Sequence, residues 1–318
     1  MSAAFLTATL CCTQISRKLR APVDGFRAHD SRCTSVVDAS QRIDGVVPTS
    51  VAPTSIGPTG IVPTSIGPTW ASALDRLRAW PAPQALLFDL DGTLVDSVED
   101  IFVSTNALMS ELALPPRTRD EVSIWIGNGA RMLVERAIAG RFEGFADDIN
   151  AATQHARADA AMARFRAIYQ EACVRHTVPL RGAHDCLAHA HARGLGIAIV
   201  TNKPLAPTQR IIDALGWRAF VSAVVAGDSL SVRKPDPAPL VEALRQLDAT
   251  HAWMIGDSAN DVGAARAAGM PSVVVRGGYN HGNPVESLHP APEVILDSLE
   301  SLPALVDGIT VASSQHRD

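Results

Sequence analysis

From Ala85 onward, short apolar runs end in polar or Gly-containing turns and alternate with longer stretches whose apolar positions recur every three to four residues. Runs of the first kind predict buried strands at Ala85–Phe88, Gly196–Val200, Ala223–Val225, Ala252–Ile255 and Ser272–Val275. The second kind predicts helices over Ala183–Arg193, Leu205–Leu215, Pro237–Leu247 and Asn260–Ala268. Strands alternating with helices imply an α/β fold, a Rossmann-like parallel sheet covered on both faces. Ligands of such sheets gather at the carboxyl ends of the strands. The gap between the first two strands, about 100 residues, is too long for one crossover. Its pattern is helical at Val98–Leu112, Arg119–Ile126, Ala130–Ala139 and Asp147–Val174, as expected of an inserted all-helical subdomain acting as a lid.

Ahead of this lies a different texture. Pro48, Pro53, Pro58, Pro63 and Pro68 recur every fifth residue, each followed by Thr. Proline at that density removes backbone donors and fixes φ too often for a helix or a paired strand, so an extended, solvated segment is expected. The predicted organisation is therefore a Pro/Thr-rich extension over 1–82, a catalytic core over 83–98 and 178–318, and a helical cap over 99–177. A Pro-rich ligand, an O-glycosylated stalk or a start assigned too far upstream are other readings of the extension. A signal peptide is not expected, because Arg17, Lys18 and Arg20 follow the apolar stretch they should precede. Asp24, Asp30, Asp38 and Asp44 spoil a transit peptide.

Composition changes the picture in one respect. The 318-residue chain carries a formal charge of -5, but residues 1–82 hold eight Lys/Arg against five Asp/Glu, leaving 20 bases against 28 acids in the remainder. Neither nucleic acid nor membrane is an expected partner, since there is no basic bias and no apolar run of the roughly 18 to 20 residues a span needs. Of five cysteines only Cys173 and Cys186 fall in the predicted folded part, too few for a disulfide framework, which favours a reducing, cytoplasmic setting.

Four segments carry candidate chemistry, three of them at strand ends. Asp89 and Asp91, two residues apart before Gly92 and Thr93, can serve as nucleophile and proton donor and can bind a hard cation; alone they could also be a solvated acidic turn. Thr201 and Asn202 offer a hydroxyl and an amide to an anion, or cap a helix. Lys234 is one of only three lysines (Lys18, Lys203, Lys234) in a chain with 25 arginines, and a compact ammonium suits a phosphoryl oxygen. Asp257 and Asp261 sit four residues apart at a helix start, where acids favour the helix dipole or approach a cation.

In this order, Asp-Leu-Asp-Gly-Thr at 89–93, Thr201, Lys234 and Gly-Asp-Ser-x-x-Asp at 256–261 resemble the four motifs of the haloacid dehalogenase superfamily of phosphatases across residues 84–307. The insert is placed like that superfamily's C1 cap. Trp125–Ala130, Val200–Pro204 and Gly278–Gly282 are similar to its bacterial phosphoglycolate phosphatase branch. The resemblance implies attack by Asp89 on a small-molecule phosphate monoester to give an aspartyl-phosphate, with Asp91 as general acid and base. It implies Mg²⁺ held by Asp89, the main-chain carbonyl of Asp91, and Asp257. Lys234, Thr201 and the backbone N–H groups of Gly92 and Asn202 would bind the phosphoryl oxygens, and Asp261 would orient Lys234 or metal-bound water. The cap's candidates for the substrate's far end are Asn128, in a turn that could offer backbone N–H groups, and Arg131 and Arg175 as counter-charges, each arginine at least as readable as part of a solvated helix face. A monomer or homodimer is expected. Competing readings are a phosphatase of a sugar phosphate such as N-acetylmuramic acid 6-phosphate, and a catalytically idle binding protein on the same fold.

Overall fold

The structure is a computed structural model that describes residues 68–145 and 150–314. Its central sheet has six strands: β1 (Ala85–Phe88), β4 (Gly196–Val200), β5 (Ala223–Val225), β6 (Ala252–Gly256), β7 (Ser272–Val275) and β8 (Val294–Leu296). They run parallel in the order β5-β4-β1-β6-β7-β8. The first strand in the chain is thus central, paired on one side with β4 and on the other with β6, and all four of its residues are buried. The α/β parallel-sheet fold anticipated from the sequence is the one observed.

Side chains alternate across the sheet, and each face builds its own core. Leu86, Phe88, Ile197, Ile199, Trp253 and Ile255 point to one side, under α6 (Ala183–Ala192), α7 (Leu205–Ala214) and α10 (Leu302–Ser314). Ala85, Leu87, Ala198, Val200 and Met254 point to the other, under α8 (Ala238–Gln246) and α9 (Ala259–Ala267).

Between β1 and α6 the chain leaves the sheet through a two-stranded antiparallel ribbon, β2 (Val95–Asp96) with β3 (Val178–Pro179). The insert carried on it contains α2 (Val98–Glu111), α3 (Arg119–Trp125), α4 (Ala130–Ala139) and α5 (Ala151–Ala172), packed around Met109, Val122, Trp125, Val134 and Phe165. At the root, the buried Asp100 on α2 accepts hydrogen bonds from the Thr177 hydroxyl (2.8 Å), the Thr177 N–H (2.9 Å) and the His176 N–H (3.0 Å), tying the outgoing chain to the returning one. No helix among the described residues is long and apolar enough to cross a membrane.

The structure corrects the end of the expected extension. Residues 68–78 form helix α1, within the stretch to residue 82 read as an extended tail. Once the proline period ends, Trp70, Ala73, Leu74 and Leu77 repeat at helical spacing, and Ala73 and Leu77 are buried in the core that α10 covers. Strand β8 and helix α10 were not anticipated either. The repeat upstream of Pro68 and the expected helix start at Asp147 lie outside the described residues.

Candidate active site

Every strand-end segment singled out from the sequence opens on the same side of the sheet. Asp89 follows β1 directly, and its N–H continues the ladder to Ile255 O at 2.9 Å, which fixes it beside the end of β6. Gly92 then turns the chain at φ +85°. A Cβ there would stand 2.4 Å from Asp257 Oδ2 and 2.9 Å from Tyr279 N, so only glycine lets the β1 and β6 loops approach this closely. Thr93 donates its hydroxyl to Asp257 Oδ1 at 3.0 Å. The N–H of Tyr279 donates to the other oxygen of Asp257.

Asp89, Asp257 and Asp261 bring one carboxylate oxygen each within 4.8 Å of one another, and Lys234 is the cation among them. Its ammonium lies 2.9 Å from Asp89 Oδ1 and 2.7 Å from Asp261 Oδ1. Burial depresses the Lys234 pKa, but Asp261 and Asp89 outweigh it and leave the ammonium more firmly protonated than usual. Asp261 divides its oxygens: while Oδ1 takes Lys234, Oδ2 accepts the N–H groups of Asp257 and Ser258, both at 3.1 Å, at the start of α9. Asp261 thus caps the start of α9 and anchors Lys234 at once.

Three acids against one lysine leave excess negative charge with little water to screen it. Asp257 is pushed well above the usual carboxylate range, first by burial and then by Asp261 and Asp89. Asp89 is raised to about 6, again chiefly by burial, with Lys234 opposing. Asp89 Oδ1 is buried, with the Lys234 ammonium 2.9 Å away. Three carboxylates that bring one oxygen each within 4.8 Å of one another are a set of hard ligands that fits a divalent cation such as Mg²⁺.

Asp91 turns its carboxylate the other way, outside that cluster. Ser97 donates to its Oδ1 at 2.6 Å, and Lys203 reaches its two oxygens at 2.8 and 3.1 Å. Lys203 also donates to the Tyr169 hydroxyl on α5 and stands 4.7 Å from that ring's centre. Burial first, then Asp91, keeps the Tyr169 hydroxyl protonated far above its ordinary range. Lys203 was in a segment quoted from the sequence but had been given no role. Its partners are 112 residues upstream and 34 residues upstream, so nothing local could have flagged it, although its rarity in this arginine-rich chain was a signal.

A cavity of about 370 Å³ lies between the sheet and the insert. Asp89, Asp91, Thr201 and Lys203 form its floor, while Phe165, Arg166 and Tyr169 of α5 and Gly127, Gly129 and Ala130 contribute its other wall. Core and insert meet around it. The Asn202 amide donates to Gly127 O at 2.8 Å, the Asn260 amide donates to the same oxygen at 3.2 Å, and His281 Nδ1 lies 2.8 Å from Ile124 O.

Other candidates take different places from those expected. The Gly92 N–H, anticipated as a phosphate donor, is engaged by Val95 O at 2.9 Å within its own turn. Arg131 faces away from the cavity lining: it bonds Glu135 at 2.8 Å and pairs with Asp159. Neither Asn128 nor the exposed Arg175 is among the lining residues.

Residues 86–275 match the family model of haloacid dehalogenase-like hydrolases. The chain is 36% identical over 250 residues to a phosphoglycolate phosphatase of Pseudomonas putida, covering 77% of this chain and 89% of that one. It is 37% identical over 226 residues to one from Psychrobacter arcticus, covering 70% and 94%. Among solved structures it resembles a predicted phosphoglycolate phosphatase from Haemophilus somnus, at 28% identity and a TM-score of 0.61, over 70% of this chain and 98% of that one. CbbY from Rhodobacter sphaeroides, solved in complex with phosphate, is 26% identical with a TM-score of 0.54, over 71% of this chain.

Proposed function

The chain belongs to the haloacid dehalogenase-like hydrolase family, and on that premise we propose that it is a phosphatase hydrolysing 2-phosphoglycolate to glycolate and phosphate through an aspartyl-phosphate on Asp89. The observation that carries this reading is the division of labour at the end of β1. Asp89 lies against Lys234 and the acid cluster, while Asp91, two residues on, is held apart at the cavity floor by Ser97 and Lys203. A nucleophile and a proton carrier need such separate environments. The substrate itself is read from the relatives in Pseudomonas putida and Psychrobacter arcticus, both phosphoglycolate phosphatases by name, at about 36% identity over most of their length.

In this mechanism Asp89 attacks the phosphorus in line. Asp91 gives a proton to the departing glycolate oxygen and then takes one from the water that hydrolyses the aspartyl-phosphate. Lys234, fixed by Asp261, balances charge on the transferring oxygens, and the Thr201 hydroxyl donates to one of them. Asp89, Asp257 and the main-chain carbonyl of Asp91 would hold Mg²⁺, which when bound supplies the positive charge that lets a carboxylate approach a phosphate dianion. The two cysteines of the described residues are buried thiols, in keeping with a cytoplasmic setting.

A panel of phosphate esters assayed with Mg²⁺ tests the reading. 2-Phosphoglycolate should rank among the best by kcat/KM, ahead of sugar phosphates including N-acetylmuramic acid 6-phosphate. If it is hydrolysed no faster than generic esters, the substrate assignment falls while the phosphatase class stands. No turnover of any ester with Mg²⁺ would remove the class as well.

A further inference from the structure

With Arg131 tied to Glu135 and Asp159, a substrate carrying a second anion must find its counter-charge elsewhere. Two side-chain cations are among the residues lining the cavity, Lys203 and Arg166. They differ in almost every respect. Arg166 is exposed on α5, where water screens its charge. The Lys203 side chain is 2% exposed, so its charge acts in a poorly screened environment. Asp91 and Tyr169 hold it from two sides, one on the core and one on the insert. Its position is therefore set before any ligand arrives.

We propose that Lys203 is the residue that selects the substrate's carboxylate, reading a negative charge placed next to the ester oxygen. The inference rests on the phosphoglycolate reading and deepens it. Asp91 must come within hydrogen-bond reach of the ester oxygen, about 2.7 Å, to protonate it. Lys203 Nζ is 3.1 Å from Asp91 Oδ2. The ammonium then lies no more than about 6 Å from the ester oxygen, each leg of that path being one hydrogen bond long. A carboxylate one carbon removed from that oxygen fits between the two. One separated from it by a sugar ring does not. The neutral Tyr169 hydroxyl holds Lys203 without competing for its charge, and Asp91 carries a proton when it acts as the acid, so a second anion gains from approaching the ammonium at that step.

The test compares 2-phosphoglycolate with ethyl phosphate, the same two-carbon ester without the carboxylate, in the full-length protein with Mg²⁺. The quantity read is the ratio of their kcat/KM values, from which differences in leaving-group chemistry cancel between variants. In Lys203→Met this ratio should fall about 30-fold or more, the loss of one charge-assisted contact. In Arg166→Met it should stay within about threefold of the unaltered protein, because an exposed charge contributes little. Equal slowing of both esters in Lys203→Met would reduce Lys203 to a support for Asp91 and overturn the proposal. Collapse of the ratio in Arg166→Met would overturn it too, and if Lys203→Met does not fold, Lys203→Gln, which keeps a hydrogen-bond donor toward Asp91 and Tyr169 but no charge, must show the same fall or the proposal fails. A ratio near one in the unaltered protein would instead bring down the substrate reading, independently of any variant.

Discussion

The sheet end and the helical insert treat charge in opposite ways. At the sheet end, Asp89, Asp257 and Asp261 crowd together against the single Lys234, and the imbalance is stored in raised carboxylate pKa values. In the insert, charges are matched locally: Arg131 bonds Glu135 one helical turn away, and Arg164 meets Glu111. An unbalanced cluster is costly to the fold and is useful only if a ligand completes it. A balanced one holds the insert together and has little left for chemistry. Sheet-end substitutions should therefore act on turnover and on metal response, and insert substitutions on stability.

The largest effect should come from Asp89→Ala. Phosphate release should fall by about four orders of magnitude or more, as when other enzymes lose their nucleophile. The Tm of the metal-free protein should hold or rise, since one of three crowded acids is gone. A variant that kept measurable turnover would erase the contrast. Next comes Mg²⁺ itself. At a hundred times its dissociation constant, a ligand bound only by the folded protein contributes about 2.7 kcal/mol. Thermal melts with Mg²⁺ against melts with chelator should show the shift, and Asp257→Asn should abolish it while raising the metal-free Tm. A shift undiminished in Asp257→Asn would mean that the cation binds elsewhere.

The same contrast explains what could be read in advance. Strands β1, β4, β5 and β7 were legible residue for residue, because a buried parallel strand is an unbroken apolar run. Strand β8 was not: Val294, Ile295 and Leu296 are only three residues, in an edge position after Pro290 and Pro292. Helix α1 was hidden because Pro68 closes a repeat that reads as extended chain. At the site, Asp89, Thr201, Lys234 and Asp257 could be found because strand order alone brings their loops together. Lys203 could not, since its pairing with Asp91 depends on how two distant loops lean toward one another. Arg131 is the reverse case. Its spacing of four from Glu135 was visible in the sequence and already named its partner.

Asp100, at the junction, probes how firmly the two regions are joined. Burial opposes its ionisation, but the main-chain N–H of His176, the Thr177 hydroxyl, the His176 imidazole and the Thr177 N–H together win, and its pKa falls below the ordinary carboxylate value. A folded-state pKa below the unfolded one, about 3.9, gives stability that is present above that pH and lost as pH falls through the lower folded value. Asp100→Asn should therefore cost about 2 kcal/mol near neutral pH, the range for a buried network that loses one charged partner. The gap in Tm between variant and unaltered protein should stay constant from pH 7 to about 5 and narrow below about 4. A gap that widened on acidification would mean that Asp100 is not the group holding the junction.

The smallest effect, and the sharpest on the insert's role, is Arg131→Ala. Glu135 is buried, and Arg131 is one of its three named partners beside the Phe145 N–H and His155. Removing the guanidinium leaves that carboxylate partly unsatisfied, at a cost of about 1 kcal/mol, or a few degrees in Tm. Because its side chain bonds Glu135 and Asp159 rather than lining the cavity, kcat/KM for 2-phosphoglycolate should change by no more than about threefold. Melts and steady-state rates on one preparation separate the two effects. A tenfold loss of kcat/KM at unchanged Tm would return Arg131 to the substrate and dissolve the distinction between an insert balanced within itself and a sheet end that is not.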